Sequence, residues 1–230
     1  LYVIPTMQDI ILNNACETQI GDSLVYLCKN RTFTLEQLAV KRLIDITFSV
    51  AGLVVTSPIL LLTALAIKLQ DRGSVFYRQC RLTRNGQEFM LIKFRSMIEN
   101  AEGNSGARFA SKGDNRITRI GRFIRMTRID ELPQLINILK GDMSLVGPRP
   151  ERPEIFEKNC EVFPQFRYRL KVKAGLTGYA QIYGKYNTTF EDKVKMDLLY
   201  IENCSLLMDI RLIFSTLKVL FMKESTEGFE

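Results

Sequence analysis

Asp130 and Glu131 are adjacent carboxylates in the run RMTRIDELPQLINILKGDMSLVGPRP, residues 125–150. Arg125 and Arg128 lie on one side of the pair and a Leu-Pro step on the other. A helix start accounts for part of this pattern. Asp130 suits an N-cap, Pro133 suits the first turn, and Leu132, Leu135, Ile136 and Leu139 follow with helical spacing. It leaves unexplained the second carboxylate and the nearby arginines. The chain has no histidine, which removes His-based triads, His-ligated zinc and imidazole general bases.

The elements that must position this pair belong to a folded chain, with 46% hydrophobic and 25% charged residues. Its 230 residues suffice for one large domain or two small ones. A net charge of +7 and a pI near 9.2 point to anionic partners: nucleic acid, phosphorylated metabolites or a membrane surface. The five cysteines form no C-x-x-C pair and read as free thiols in a reducing compartment. The first residue is Leu1, so a piece of a longer protein is expected, and no cleavable signal peptide is visible.

Residues 1–40 read as a small α/β unit: LYVIP a strand, MQDIILNNA a helix, GDSLVYLC a second strand. It is too short to close a core and is expected to be the tail of an upstream domain. From Leu43 to Leu69 the chain is apolar except for Asp45, a few hydroxyls and Lys68, long enough to cross a hydrocarbon core of about 30 Å. Ser57-Pro58 interrupts its middle, and basic residues flank both ends: Lys41 and Arg42 before it, Arg72, Arg78, Arg81 and Arg84 after it. Positive charge favours the cytoplasmic side. A helix that enters, breaks at Ser57-Pro58 and returns satisfies both flanks; the alternatives are a straight span and a buried core helix. If the helix does break there, the Ser57 hydroxyl is placed to satisfy a carbonyl freed by the proline.

Asn85-Gly86 between two β-prone runs predicts a tight type I′ hairpin. Arginines at 116, 119, 122, 125 and 128, with Ile117, Ile120 and Ile124 between them, predict a basic amphipathic helix at a membrane interface. A nucleic-acid surface is the rival reading, without aromatic interleaving to support it. A polar helical stretch, a glycine-bearing loop KAGLTGYAQIYGK and two final helices, FEDKVKMDLLYIEN and SLLMDIRLIFSTLKVLF, complete the chain. The expected class is therefore α+β: helix-rich, membrane-associated, with a re-entrant helix, a small β-hairpin and interfacial amphipathic helices.

Taken in order, Lys41-Arg42 with Asp45, Ser57-Pro58, IKFRSM, DELPQLINILKGDMSLVGPRP, GLTGYAQIYGK and MDLLYIENCSLLMDI resemble the bacterial sugar transferases, monotopic polyprenyl-phosphate phosphoglycosyl transferases. The resemblance covers about residues 41 to 222. It divides the chain into 1–40, the end of a Rossmann-like domain of the long members, and 41–230, the transferase, with its membrane helix at about 43–69. The activity it implies is transfer of sugar-1-phosphate from a UDP-sugar to undecaprenyl phosphate, releasing UMP, at the cytoplasmic face of the bacterial inner membrane. This is the first membrane step of exopolysaccharide, capsule or glycoconjugate assembly. Nucleic acid is not among the implied partners, and a homo-oligomer would form through upstream domains.

The resemblance also assigns roles. Asp130 matches the nucleophile that forms an aspartyl-phosphosugar, which splits the exchange into two displacements. Mg²⁺ near Asp130 and Glu131 would screen the two anions, and Glu131 would either ligate it or position the acceptor. Arg149, between Pro148 and Pro150, matches the nucleotide-binding motif, where a rigid guanidinium suits a pyrophosphate or a base edge. Arg125 and Lys93 match basic positions near the reacting phosphates, Lys185 a basic position after Gly184, and Asp197 and Asp209 acidic positions of supporting or purely structural role. This chain departs from the family pattern at Ala174, where proline is frequent and a looser turn is expected, and at Lys185, where arginine is frequent. It departs also at Tyr179, where tryptophan is frequent. Nothing in these motifs names the sugar. The reading from a different class is a non-catalytic basic, membrane-anchored scaffold or nucleic-acid-binding module.

Overall fold

The computed structural model describes residues 6–12, 15–20, 23–28, 33–99, 114–184 and 188–220. It is helix-rich α+β, with one long apolar helix and small two-stranded sheets. Helix α1 (Met7–Leu12) precedes an antiparallel pair, β1 (Ala15–Ile20) and β2 (Ser23–Cys28). Of the strands expected there, GDSLVYLC is observed and LYVIP lies outside the described residues; β1 was not foreseen. Met7 and Ile10 of α1 are buried in the main core, beside helix α7 (Phe190–Glu202).

Helix α2 runs from Leu35 to Asp71, beginning well before the apolar stretch. Its start is set by a capping box: the Thr34 hydroxyl accepts from the Gln37 N–H, and the Gln37 side chain accepts from the Thr34 N–H at 3.1 Å. Ser57-Pro58 does not break the helix, contrary to expectation. The reason is local. Pro58 lacks the N–H that would reach the Val54 carbonyl, and the Ser57 hydroxyl donates to that carbonyl instead, at 2.7 Å. The helix has a mean hydropathy of 2.3 over its most apolar window, of which 11% is buried. That makes it long and apolar enough to cross a membrane.

Both ends of α2 rest on one body. Near its start, Asp45 is buried and accepts from the Leu145 N–H and the Ser144 hydroxyl, on strand β5 (Ser144–Val146). Near its end, Ile67 packs with Phe94 and Ile124, and Asp71 pairs with Arg95.

The hairpin forms where expected, but its connection is longer than a two-residue turn: Leu82 faces Glu88, and Arg84–Gly86 make a short 3-10 turn between them. Strands β3 (Phe76–Leu82) and β4 (Glu88–Phe94) pair antiparallel, Phe76 opposite Phe94. The turn puts Asn85 at φ 58° and Gly86 at φ 73°, the left-handed pair that type I′ demands. The arginine-rich stretch differs from its expectation. Only Arg119–Met126 is helical (α3); Arg116 pairs with Asp114 ahead of it, and Arg128 is left-handed behind it. Ile120 and Ile124 pack into the cluster with Phe94 and Ile67, so this isoleucine face serves the core. Exposed Arg119, Arg122, Phe123 and Met126 form its outer side.

Helix α4 (Gln134–Lys140) leads into β5, which pairs in parallel with β6 (Gly175–Thr177). Between them lie α5 (Pro153–Val162) and a 3-10 segment from Pro164 to Lys171. After β6 come α6 (Tyr179–Tyr183), α7 and α8 (Leu206–Leu220). Ile138, Met143, Val146, Phe166, Leu198 and Leu212 fill the centre of the core.

Candidate active site

The Asp130–Glu131 pair sits in a short 3-10 turn, Ile129–Glu131, entered through left-handed Arg128. Asp130 is therefore not the N-cap of the following helix; Pro133 holds that place and α4 begins at Gln134. Three successive directions of chain meet here, and each is fixed by a polar anchor. Asn137, buried in α4, accepts from the Ile92 N–H at 3.0 Å and donates to Met90 O at 2.8 Å, which ties the helix to β4. Lys93, next along β4, is thereby brought to Glu131, its Nζ 3.0 Å from Oε1.

The third direction is Pro148-Arg149-Pro150, which follows β5. Gly147 allows it to pass close to its neighbour: a β-carbon there would lie 2.3 Å from the Lys173 carbonyl oxygen. The carbonyls of Arg149 and Pro150 are gripped from behind, by Arg169 Nη2 at 2.9 Å and Arg81 Nη1 at 3.0 Å. Arg169 is buried and pairs with buried Asp197, Nε to Oδ2 at 2.9 Å. Held in this way, Arg149 sends Nη2 to Glu131 Oε1, 2.6 Å away. It remains 44% exposed, so its guanidinium is open to a ligand as well.

Lys93 and Arg149 thus share one oxygen of Glu131. Burial works against the charge on Glu131, but the two cations outweigh it and hold its carboxyl well below the usual carboxylate range. Asp130 is treated differently. Burial, with the Glu131 charge adding to it, pushes its carboxyl up to about 6, against the weaker pull of Lys93, Arg125 and Arg149. Among the described residues no side chain forms an ion pair with Asp130. Arg125 stands near enough to lower the Asp130 value, while its own Nε donates to Ser96 Oγ at 2.7 Å. The turn therefore presents one neutralised carboxylate and one unpaired carboxylate that is costly to ionise.

The expected site residues divide into two groups. Asp130, Glu131, Lys93 and Arg149 come together, with Arg125 beside them. Asp197 and Asp209 stand behind. Asp209 pairs with Lys41 of α2 and accepts from the Tyr200 hydroxyl at 2.8 Å, so its contacts are those of an internal brace. Lys185 lies outside the described residues. The expected looseness at Ala174 is not found: its N–H donates to Thr83 Oγ1 at 3.2 Å, a bond that proline cannot make. Ser96, Asn137, Arg81 and Arg169 were missed. A lone amide within the apolar run LINIL was a signal for Asn137; nothing local marked the two arginines.

A buried Asp130 beside a charge-paired Glu131, an arginine held between prolines and one long apolar helix thus occur together in this chain. Residues 36–223 match the bacterial sugar transferase family, and the chain belongs to it. It is 42% identical over 184 residues to the UDP-N-acetylgalactosamine-undecaprenyl-phosphate N-acetylgalactosaminephosphotransferase of Aeromonas hydrophila, covering 79% of this chain and 43% of that protein. It is 39% identical over 226 residues to the undecaprenyl-phosphate glucose phosphotransferase of Komagataeibacter xylinus, covering 95% and 42%. The UDP-glucose:undecaprenyl-phosphate glucose-1-phosphate transferase of Caulobacter vibrioides is 37% identical over 190 residues, covering 80% and 71%. The chain spans less than half the length of the first two relatives.

Proposed function

We propose that this chain transfers a sugar-1-phosphate from a UDP-sugar to undecaprenyl phosphate, releasing UMP, as the first membrane step of polysaccharide assembly. The carrying observation is the asymmetry of the carboxylate pair: Glu131 is neutralised by Lys93 and Arg149, and Asp130 beside it is buried and unpaired. The activities of these relatives agree with this reading.

In this mechanism an Asp130 oxygen attacks the sugar-linked phosphorus. The anhydride bond to the second phosphorus breaks, and its electron pair leaves on UMP. The phosphate of the polyprenol then attacks the same phosphorus, and the Asp130 carboxylate departs with its electrons. A carboxylate that is poorly solvated is a stronger nucleophile than one in water, and burial supplies that condition. Arg149 binds the donor's pyrophosphate with the open side of its guanidinium. Lys93 and Arg149 together keep Glu131 from adding an uncompensated negative charge beside the incoming phosphates.

The donor set fits Mg²⁺ held by one or two carboxylates together with substrate phosphates, since magnesium keeps most of its sphere for water and phosphate. Asp130 has no ion-pair partner among the described residues, whereas one oxygen of Glu131 is already taken by two cations. Among the described residues no group of three or more acidic or cysteine side chains gathers. When bound, the ion supplies positive charge between the carboxylate and the phosphates.

Helix α2 is read as dipping into the bilayer with both ends on the cytoplasmic side, bent at Pro58 without a break in the helix, and with the catalytic body on that face. A span would carry Lys41 and Asp71 to opposite sides of the membrane. The pairs Lys41–Asp209 and Asp71–Arg95 could not then both form on one body. Residues 1–40 are read as the end of an upstream Rossmann-like domain. The test of function is UMP release from a panel of UDP-sugars with Mg²⁺ and undecaprenyl phosphate. Without acceptor, label from the sugar phosphate should remain on the chain. Label retained equally by Asp130→Asn would remove Asp130 as the nucleophile, and no retained label on the parent would remove the covalent step.

A further inference from the structure

At the far end of α4 the chain encloses a second polar cleft, of about 360 Å³, between the hairpin turn and the helix C-terminus. It shares no residue with the Asp130–Glu131 site. The seven residues of α4 separate the two, about 10 Å of helix.

The cleft is lined by Arg84, Lys140 and Lys173, with the neutral amides of Asn85 and Gln87 among them. The Arg42 guanidinium stands at its edge, 3.6 Å from where a β-carbon on Gly141 would be. Against these four cations stand Glu88 and Asp142. Asp142 accepts from Asn137 Nδ2 at 3.0 Å and Glu88 from the Cys80 thiol. Among the described residues neither pairs with any of the four cations, and Arg84 and Lys140 have no ionic partner.

A helix C-terminus ordinarily repels anions. Here that pole is covered. Arg42 donates to Ile138 O and Leu139 O, at 2.5 and 2.7 Å, and Lys173 donates to Gly141 O at 2.7 Å. The cations are also crowded: burial, then Arg42 and Arg84, lower the Lys173 ammonium below its ordinary value despite Asp45 and Asp142. A compact anion placed among them removes this repulsion. Arg42 immediately precedes exposed Leu43, where the apolar stretch of α2 begins, so the edge of the cleft adjoins the helix that the proposed function places in the lipid.

We propose that this cleft binds a phosphate-bearing anion, either the phosphodiester head group of an anionic phospholipid or a soluble phosphate. The shared chemistry is a compact tetrahedral anion taken by two or three cations and side-chain amides. Its source is a matter for the test.

The chain is reconstituted in nanodiscs and acylated with an amine-reactive reagent, and the modification rate of Lys173 is followed by mass spectrometry. Lys158, exposed on α5 and outside the cleft, is the internal reference. A bound phosphate raises the Lys173 pKa, and each unit of rise lowers its neutral, reactive fraction about tenfold. Slowing of this order in phosphatidylglycerol discs, absent in phosphatidylcholine discs, assigns the lipid head group. The same slowing in phosphatidylcholine discs on adding inorganic phosphate assigns the soluble anion. Arg84→Gln, which lies outside the proposed catalytic machinery, should cancel most of the slowing in either arm without changing thermal melting. Equal relative rates in all conditions, or slowing untouched by Arg84→Gln, would overturn the proposal.

Discussion

Replacing Asp130 by Asn should abolish turnover and at the same time stabilise the fold at neutral pH. The carboxyl is moved from its ordinary 3.8 to about 6 by burial and by Glu131. At about 1.4 kcal/mol per pH unit, ionising it in the folded state costs about 3 kcal/mol more than in the unfolded chain. The sign follows from the direction of the shift. Below pH 3.8 both states are protonated and the cost is absent. It grows as pH rises, because the unfolded chain releases the proton first, and it is complete above about pH 6. Asparagine keeps the size of the side chain and carries no charge, so the variant should gain this amount at pH 7.5 and only a small part of it near pH 4. For a chain of this length about 3 kcal/mol corresponds to roughly 6–12 °C in melting temperature. The assay is circular-dichroism melting in detergent with EDTA, across pH 4 to 8. A variant that melts below the parent at pH 7.5, or a gap that does not close in acid, would refute the burial reasoning. Adding Mg²⁺ should raise the melting temperature of the parent more than that of Asp130→Asn.

Glu131→Gln should act in the opposite sense: it strands Lys93 and Arg149 and costs about 3 kcal/mol at neutral pH. Because the folded carboxyl lies far below its ordinary 4.5, that contribution is present above 4.5 and declines in acid, so the gap between variant and parent narrows there; melting curves extended into acid well below pH 4.5 check it. Arg149→Ala should raise the apparent donor KM by the equivalent of about 1.5–3 kcal/mol. It should also move the acid limb of the kcat/KM profile to higher pH, since Arg149 helps to keep Asp130 ionised. Arg169→Lys keeps the charge but loses the planar fork that serves both Asp197 and the Arg149 carbonyl, and should likewise raise donor KM. In the Arg149→Ala background it should add almost nothing; additive effects in that cycle would make Arg169 merely structural. Leu38→Cys and Ser74→Cys, each in a cysteine-free background, should both be protected from an impermeant reagent in intact cells and labelled after permeabilisation. Labelling of just one in intact cells would establish a span, the form towards which Pro58→Leu should push the helix.

What could be read from the residues alone was whatever depends on short-range pattern. Asn85-Gly86 specifies its own backbone, and the apolar length of α2 and the spacing of α7 and α8 need no partner to be seen. The Asp130–Glu131 pair was legible as chemistry but not as geometry. A helix N-cap was the natural expectation for Asp130, yet left-handed Arg128 turns the chain one step early and places both carboxylates in a tighter turn. The arginine periodicity misled for a related reason. A three-residue repeat of charge says which residues share a face, while the isoleucines between them decide which face is buried, and they pack on Phe94 and Ile67. Least legible was the support behind Arg149. Arg81, Arg169 and Asp197 are 68, 20 and 48 positions away from it in the chain, and only the folded backbone brings the two arginines to the Pro150 and Arg149 carbonyls, with Asp197 behind Arg169. The consequence for the site is specific. The guanidinium that meets Glu131 is held at both ends, by bonds to its own main chain behind it and by the Glu131 carboxylate at its tip. Its direction is therefore set before a donor arrives, and the exposed part of the side chain remains free to bind one.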